Sequence, residues 1–291
     1  VNRWVLGARP KTLPAAVVPV AVGTACAVGD GGFADLVWWR AGAALVVALA
    51  LQVFTNYVND VADGERGTDA VRVGPVRLVA GGLATPAEVK RAAALAAGVA
   101  ALAGAALALA VGWELLVVGV AALAAGYFYT GGPRPYGYAG FGELFVFVFF
   151  GVVATAGSAY VHTGEVSGLA LYASVPVGLL ATALLVVNNL RDIPTDAVAG
   201  KRTLAVRLGD RRTRFLYTGL VVGAFVAVPG FGALGRPGAA LALAAVLVAR
   251  IPVLRVLEGA AGPALIGVLV ATGRVQLVFG TLCTVGLLVV R

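Results

Sequence analysis

An all-α membrane bundle of about nine transmembrane helices is the fold class the sequence predicts, on three observations. The 291 residues are 60% hydrophobic and only 12% charged, against about 25% charged in a soluble domain. Mean hydropathy is +0.94, so apolar segments of about 20 residues must lie in lipid. The apolar runs are continuous rather than alternating, which excludes a β-barrel and leaves helices as the way to satisfy the backbone in a bilayer.

The spans read in order as 13–29, 41–59, 92–111, 114–130, 142–161, 168–188, 215–234, 238–256 and 275–290. The first follows a basic stretch, "NRWVLGARPK", and imitates a secretory signal. The many spans behind it make a retained first helix the better reading. The second is "AGAALVVALALQVFTNYV", which gives out at the acidic stretch "NDVADGERGTDA". Segment 257–273 is apolar but carries Gly and Pro, and is read as a connection partly embedded in the membrane. Forty glycines and many alanines suit close approach of helix backbones.

Charge placement orients the bundle. With the N-terminus cytoplasmic, every Lys and Arg except Arg40, Arg236 and Arg291 falls in or beside an inner segment, as the positive-inside rule expects. The net charge of +8 then faces the cytoplasm, where it suits anionic headgroups or an anionic substrate. Nucleic acid is a poor alternative and no such partner is expected, since no soluble basic domain is present. The multi-pass protein is placed in the plasma membrane, its oligomeric state open.

Cys26 and Cys283 stand in apolar runs without partner motifs and read as packing residues. His162 reads as a solvated residue of a short turn. Methionine is absent, as expected if the numbering begins just after the initiator.

Two inner segments, 60–91 and 189–214, are long, and long ordered loops are usually functional. They hold six of the fourteen carboxylates in two short stretches: Asp60, Asp63, Glu65 and Asp69, then Asp192 and Asp196. Asn59 precedes Asp63 by four residues and Asn188 precedes Asp192 by four. Four crossings separate the clusters, so both emerge on one side, like a degenerate duplication of a four-helix unit. Asp60/Asp63 and Asp192/Asp196 have spacings that place each pair on one helical face. Pro194 argues against regular helix through the second pair.

Facing carboxylate clusters repel unless a hard cation joins them. Mg²⁺ suits oxygen ligands and bridges carboxylates to phosphates. Arg66, Arg72 and Arg77 in the first loop, with Lys201, Arg202 and Arg207 in the second, complete a site for a diphosphate. No Walker A or GxGxxG sequence points to a nucleotide. A secondary transporter is the rival class, but transporters place ionisable groups at mid-membrane.

The stretches "NDVADGERGTD" and "NNLRDIPTDAVAGKRTLAVRLG" resemble the paired Asp-rich motifs of the UbiA superfamily of intramembrane prenyltransferases. With "ARPKTLPAAVVPVAVG" and "YTGGPRPYGYAGFGELFVFVFFG", the second motif looks like the 1,4-dihydroxy-2-naphthoate polyprenyltransferases of menaquinone synthesis. Val61 departs from the Tyr common there. The resemblance implies one transmembrane prenyltransferase domain over residues 1–291, with a membrane-level cavity under cytoplasmic Asp-rich loops. It implies Mg²⁺-dependent transfer from a polyprenyl diphosphate to 1,4-dihydroxy-2-naphthoate, with loss of diphosphate and CO₂, giving demethylmenaquinone. The alternatives within the family are 4-hydroxybenzoate, homogentisate and a tetrapyrrole.

It assigns Asp60, Asp63, Asp192 and Asp196, with Asp69, to the metal. Asn56, Asn59, Asn188 and Asn189 match the neighbouring polar positions and are expected to bind the diphosphate. Arg72, Arg77, Lys201 and Arg202 are expected to contact the diphosphate, Lys201 also as a catalytic group. Tyr129 and Lys11 are expected at the aromatic acceptor, chosen over Tyr127, Tyr136 and Arg9, and Glu143 lies at the same level without an assigned role.

Overall fold

The computed structural model describes residues 2–29, 31–68, 74 and 76–289, and all regular structure among them is helical. The elements are α1 (Arg3–Ala8), α2 (Pro14–Cys26), α3 (Trp38–Glu65), α4 (Pro86–Val111) and α5 (Glu114–Phe128), followed by α6 (Gly142–Thr163), α7 (Gly168–Val198), α8 (Leu204–Ala233), α9 (Pro237–Leu257) and α10 (Ala264–Val289). Seven of them, α3, α4 and α6 to α10, are long and apolar enough to cross a membrane; α2 and α5 are shorter apolar helices.

Local signals start the helices where the chain needs them. Thr85 caps α4 in a reciprocal capping box with Glu88, and Pro86 fills the first turn. Ser167 Oγ accepts the Ala170 N–H at α7, and Thr203 Oγ1 accepts the Val206 N–H at α8. Within α8, Gly209 (φ 75°, ψ 171°) breaks the helix into two segments.

Four expectations are corrected. The Asp motifs are not loops beyond the spans: α3 continues to Glu65 and α7 to Val198, so Asp60, Asp63, Asp192 and Asp196 ride on the last turns of helices. Helix persists through Pro194 because the lost N–H lies close to the C-terminal end, where packing outweighs one missing bond. The last helix begins at Ala264 rather than 275, so Arg274 belongs to it. His162 is not a solvated turn residue. It sits half-buried in the last turn of α6, its Nδ1 accepting the Val37 N–H at 3.1 Å.

The main core lies among α2, α7, α8 and α10, with Val22, Val177, Leu180, Tyr217 and Phe279 fully or almost fully buried. Glycines set the closest approaches. A Cβ at Gly23 of α2 would stand 2.1 Å from the Thr155 carbonyl oxygen, and one at Gly151 of α6 would stand 2.6 Å from Gly178 Cα in α7. Outward faces carry exposed Leu95, Leu102, Leu109 and Leu247, as lipid contact requires. Cys26 and Cys283 are free and buried, as packing residues should be.

Candidate active site

The two Asp motifs meet at the mouth of one cavity of about 620 Å³. Its body is apolar and is lined by small and aromatic side chains, among them Ala44, Val47, Gly104, Phe145, Phe149 and Val153. Its mouth carries Asn56, Asn59, Asp60, Asp63, Arg77, Asn188, Asn189, Arg191, Asp192, Asp196 and Lys201. A charged end on an apolar groove matches a ligand that is ionic at one end and hydrocarbon at the other.

The first motif is built on the final turns of α3. Residues 56, 59, 60 and 63 share one face there, and all four are buried. Asn56 Nδ2 donates to the Ala8 carbonyl at 2.9 Å, tying α3 to the N-terminal turn that carries Arg9 and Lys11. Asn59 Oδ1 accepts from Thr130 Oγ1 at 2.7 Å. Asp60 is fully buried, and its two oxygens accept the N–H groups of Leu78 (3.0 Å) and Val79 (2.9 Å). This carboxylate thus folds the following segment back onto α3 and places Arg77 in the cavity wall.

The second motif is built on the end of α7. Arg191 clamps Asp192 with two parallel bonds, Nε to Oδ1 and Nη2 to Oδ2, both 2.7 Å, and Nη2 also reaches Asn188 Oδ1 at 2.9 Å. Helix α7 then closes in a Schellman motif. Gly200 takes φ 73°, its N–H bonds to the Ala197 carbonyl, and the Lys201 N–H bonds to the Asp196 carbonyl at 2.8 Å. The left-handed turn that Gly200 permits sends the Lys201 side chain back over the motif.

Lys201 joins the two halves. Its Nζ donates to Asp63 Oδ1 at 2.9 Å, and Tyr138 Oη donates to the same oxygen at 2.6 Å, leaving Oδ2 outside both bonds. The ammonium lies 4.8 Å from the Tyr138 ring centroid. Burial pulls the Lys201 ammonium down, but the charge and hydrogen bond of Asp63 outweigh it, and the net shift is upward. Burial, then the Asp63 charge, raises the Tyr138 phenol, which stays a donor.

For Lys201, a raised folded-state value means the stabilisation is complete below the unfolded value, about pH 10.4, and is lost as pH rises through the still higher folded value. The melting-temperature difference between wild type and Lys201→Met is therefore expected to stay constant from about pH 7 to about pH 9.5 and to narrow above about pH 10.5. Thermal unfolding in detergent across that range is the check.

Oxygen donors of the two motifs line a single mouth, which fits Mg²⁺. This cation takes one or two carboxylates and completes its shell with waters and phosphate oxygens, so a ready three-carboxylate cluster is not required. Among the described residues no such cluster exists.

Most expected site residues reach the cavity, including Lys11 and Tyr129. Arg202 does not: its side chain is exposed, while its backbone N–H bonds to the Tyr138 carbonyl and its carbonyl accepts from Arg207 Nε. Asp69 and Arg72 lie outside the described residues. Tyr136 stacks on Phe145, with its hydroxyl on the Ala125 carbonyl. Sequence reasoning passed over Arg191 and Tyr138. The first stands between the paired Asn and the Asp in "NNLRD", and that position was its signal. Tyr138 had none, since only the fold brings it to Asp63.

A model of the UbiA prenyltransferase family matches residues 16–262. The 1,4-dihydroxy-2-naphthoate octaprenyltransferase of Mycobacterium tuberculosis (strain ATCC 25618 / H37Rv) is 50% identical over 277 residues, covering 95% of this chain and 94% of that protein. The enzyme of the same name from Escherichia coli K12 is 39% identical over 235 residues, covering 78% and 75%. Among solved structures, the apo UbiA homolog from Aeropyrum pernix K1 superposes with a TM-score of 0.71 at 16% identity, covering 97% of this chain and 98% of that one. A UbiA homolog from Archaeoglobus fulgidus bound to DMAPP and Mg²⁺ gives 0.61 at 16% identity, covering 99% and 100%. With its paired Asp motifs closing one apolar cavity and relatives matched over nearly its whole length, the chain belongs to the UbiA prenyltransferase family.

Proposed function

We propose that this chain transfers a polyprenyl group from its diphosphate to 1,4-dihydroxy-2-naphthoate, acting as one transmembrane domain with its N-terminus and Asp motifs on the cytoplasmic side of the plasma membrane. The observation that carries the reading is the Lys201–Asp63 contact, which joins the two Asp motifs over an apolar cavity. The choice of acceptor is supported by the M. tuberculosis and E. coli relatives.

Asp63, Asp192 and Asp196 would hold Mg²⁺, whose chemistry there is to neutralise charge growing on the departing diphosphate. Asp60, engaged by the Leu78 and Val79 amides, anchors Arg77 beside them. Arg77 and Lys201 add fixed positive charge at the same end of the substrate, and Asn59 and Asn188 present neighbouring amides. The isoprenoid tail lies in the apolar body among α3 to α6. Its walls exclude water, which would otherwise capture the allylic cation as an alcohol. The allylic C–O bond breaks with its electron pair passing to diphosphate. The ring carbon that bears the carboxylate forms the new C–C bond, and CO₂ departs, returning a pair to the ring. No oxidant enters, and the product leaves as the quinol form of demethylmenaquinone. Lys11, at the cavity mouth, is placed to hold the acceptor's carboxylate until it leaves, and Tyr129 to donate a hydrogen bond to the ring oxygens.

Purified protein in detergent, given 1,4-dihydroxy-2-naphthoate and a polyprenyl diphosphate, is expected to release CO₂ and form the prenylated quinol only when Mg²⁺ is present. Product with 4-hydroxybenzoate or homogentisate instead would reassign the acceptor. No product with any of the three would overturn the reading.

A further inference from the structure

Glu143 is a carboxylate that the chemistry above does not use. It stands in the first turn of α6 and is buried. Oε1 accepts from Asn189 Nδ2 at 2.9 Å, while Oε2 is buried with no hydrogen-bond partner. A carboxylate with one oxygen unpartnered in such a place is costly, and an apolar side chain would avoid that cost. The reason for keeping it must lie in what it does to its partner.

Asn189 is that partner, and it lines the cavity. An amide has a donor end and an acceptor end. A glutamine at 143 could pair with either end, whereas here Asn189 Nδ2 is the donor to Glu143 Oε1, so the NH₂ end of the amide faces Glu143. Its carbonyl oxygen then lies on the other side of the amide. Among the described residues, no donor is paired with that oxygen. Tyr129 borders the same corner. Its ring packs on Gly142, the neighbour of Glu143, and a Cβ there would stand 3.0 Å from Tyr129 Cε2 and 3.5 Å from its hydroxyl oxygen. The cavity therefore meets an acceptor oxygen and a phenolic donor around one buried carboxylate.

We propose that Glu143 is a positioning residue that locks the Asn189 amide with its carbonyl oxygen toward the cavity, as the hydrogen-bond acceptor for one ring hydroxyl of the aromatic acceptor. This rests on the acceptor reading given above. A hydroxyl that donates to Asn189 has its O–H bond polarised, which raises electron density in the ring and favours attack on the allylic carbon. A ring lacking that hydroxyl would fill the cavity and leave this carbonyl unpaired, which is how such a site rejects a wrong substrate.

The test compares 1,4-dihydroxy-2-naphthoate with its two mono-O-methyl ethers, each lacking one O–H, in wild type, Glu143→Gln and Glu143→Leu. In wild type, one of the two ethers is expected to raise the acceptor KM by about tenfold or more relative to the parent, the size of one lost hydrogen bond. In both variants that discrimination is expected to fall to within about threefold, while the KM for polyprenyl diphosphate stays within about twofold. A purely structural role would shift both substrates together and leave the discrimination intact. Glu143→Gln preserves volume but leaves the Asn189 amide free to pair either way round, and decides the question should Glu143→Leu fail to insert. Wild-type discrimination retained in Glu143→Gln overturns this inference alone. A wild-type protein that turns over no dihydroxynaphthoate overturns the acceptor reading, and this inference with it.

Discussion

Asp63→Ala is expected to lower prenyl transfer by about 1,000-fold or more, because it removes transition-state charge stabilisation and a buried ion pair together. Asp63 Oδ1 is the point where Lys201, from beyond α7, and Tyr138, from the α5–α6 connection, both meet α3. Alanine leaves the Lys201 ammonium buried without its counter-charge, at a cost of about 3–5 kcal/mol. Stability loss and chemical loss are separated with Asp63→Asn, which keeps the side-chain volume and a hydrogen-bonding oxygen but no charge for a cation. It is expected to melt closer to wild type than the alanine variant and to be equally inactive. Asp210→Ala is the control. Asp210 is exposed on α8, away from the cavity, and pairs with the part-buried Arg214 at 2.6 Å, so its loss touches no group of the site. Activity above about a tenth of wild type in Asp63→Asn, with Mg²⁺ saturating, would remove Asp63 from the metal site.

Gly151→Val is expected to lower stability strongly without replacing any polar group of the site. A Cβ at 151 would stand 2.6 Å from Gly178 Cα and 3.2 Å from the Ser174 carbonyl oxygen. These are backbone atoms, so no rotamer change relieves the overlap, and α6 must move away from α7. Overpacking of this kind costs about 1–3 kcal/mol, here at the upper end. That corresponds to a melting temperature lower by roughly 6–12 °C. Moving α6 also separates Glu143 from Asn189, so turnover should fall as well. Gly219→Ala in α8, where no atom lies within 4 Å of the added Cβ, is expected to melt within about 2 °C of wild type. Equal melting of Gly151→Val and Gly219→Ala would show that the α6–α7 approach is not tight.

The Asn59–Asp63 and Asn188–Asp192 spacings were readable because each is a local offset along one helix, and a helix turns local offsets into shared faces. Arg77 and Lys201 were readable as charge near those motifs, and Lys11 as charge in the N-terminal inner segment. The lengths of α3 and α7 were underestimated because charge and Pro194 look like the end of a span. In the bundle Asp60, Asp63 and Asp192 on these turns are buried against groups that pair with them, so the helices run on. Arg202 was misjudged for the opposite reason: two adjacent basic residues look alike in sequence, but the turn at Gly200 sends Lys201 inward and leaves Arg202 in solvent.

Composition and the repeated Asn/Asp motif by themselves determined that this is a helical membrane protein with two acidic helix ends on one side, because hydropathy and helical period are properties of neighbouring residues. Only the tertiary structure decided which carboxylate does what. Asp60 anchors a backbone turn 18 and 19 residues away, Asp63 meets a lysine 138 residues away, and Glu143 holds an amide 46 residues away. Hydrogen bonds and charge pairs act through a few ångströms of space, and no spacing along the chain records which distant groups the packing of helices will bring that close.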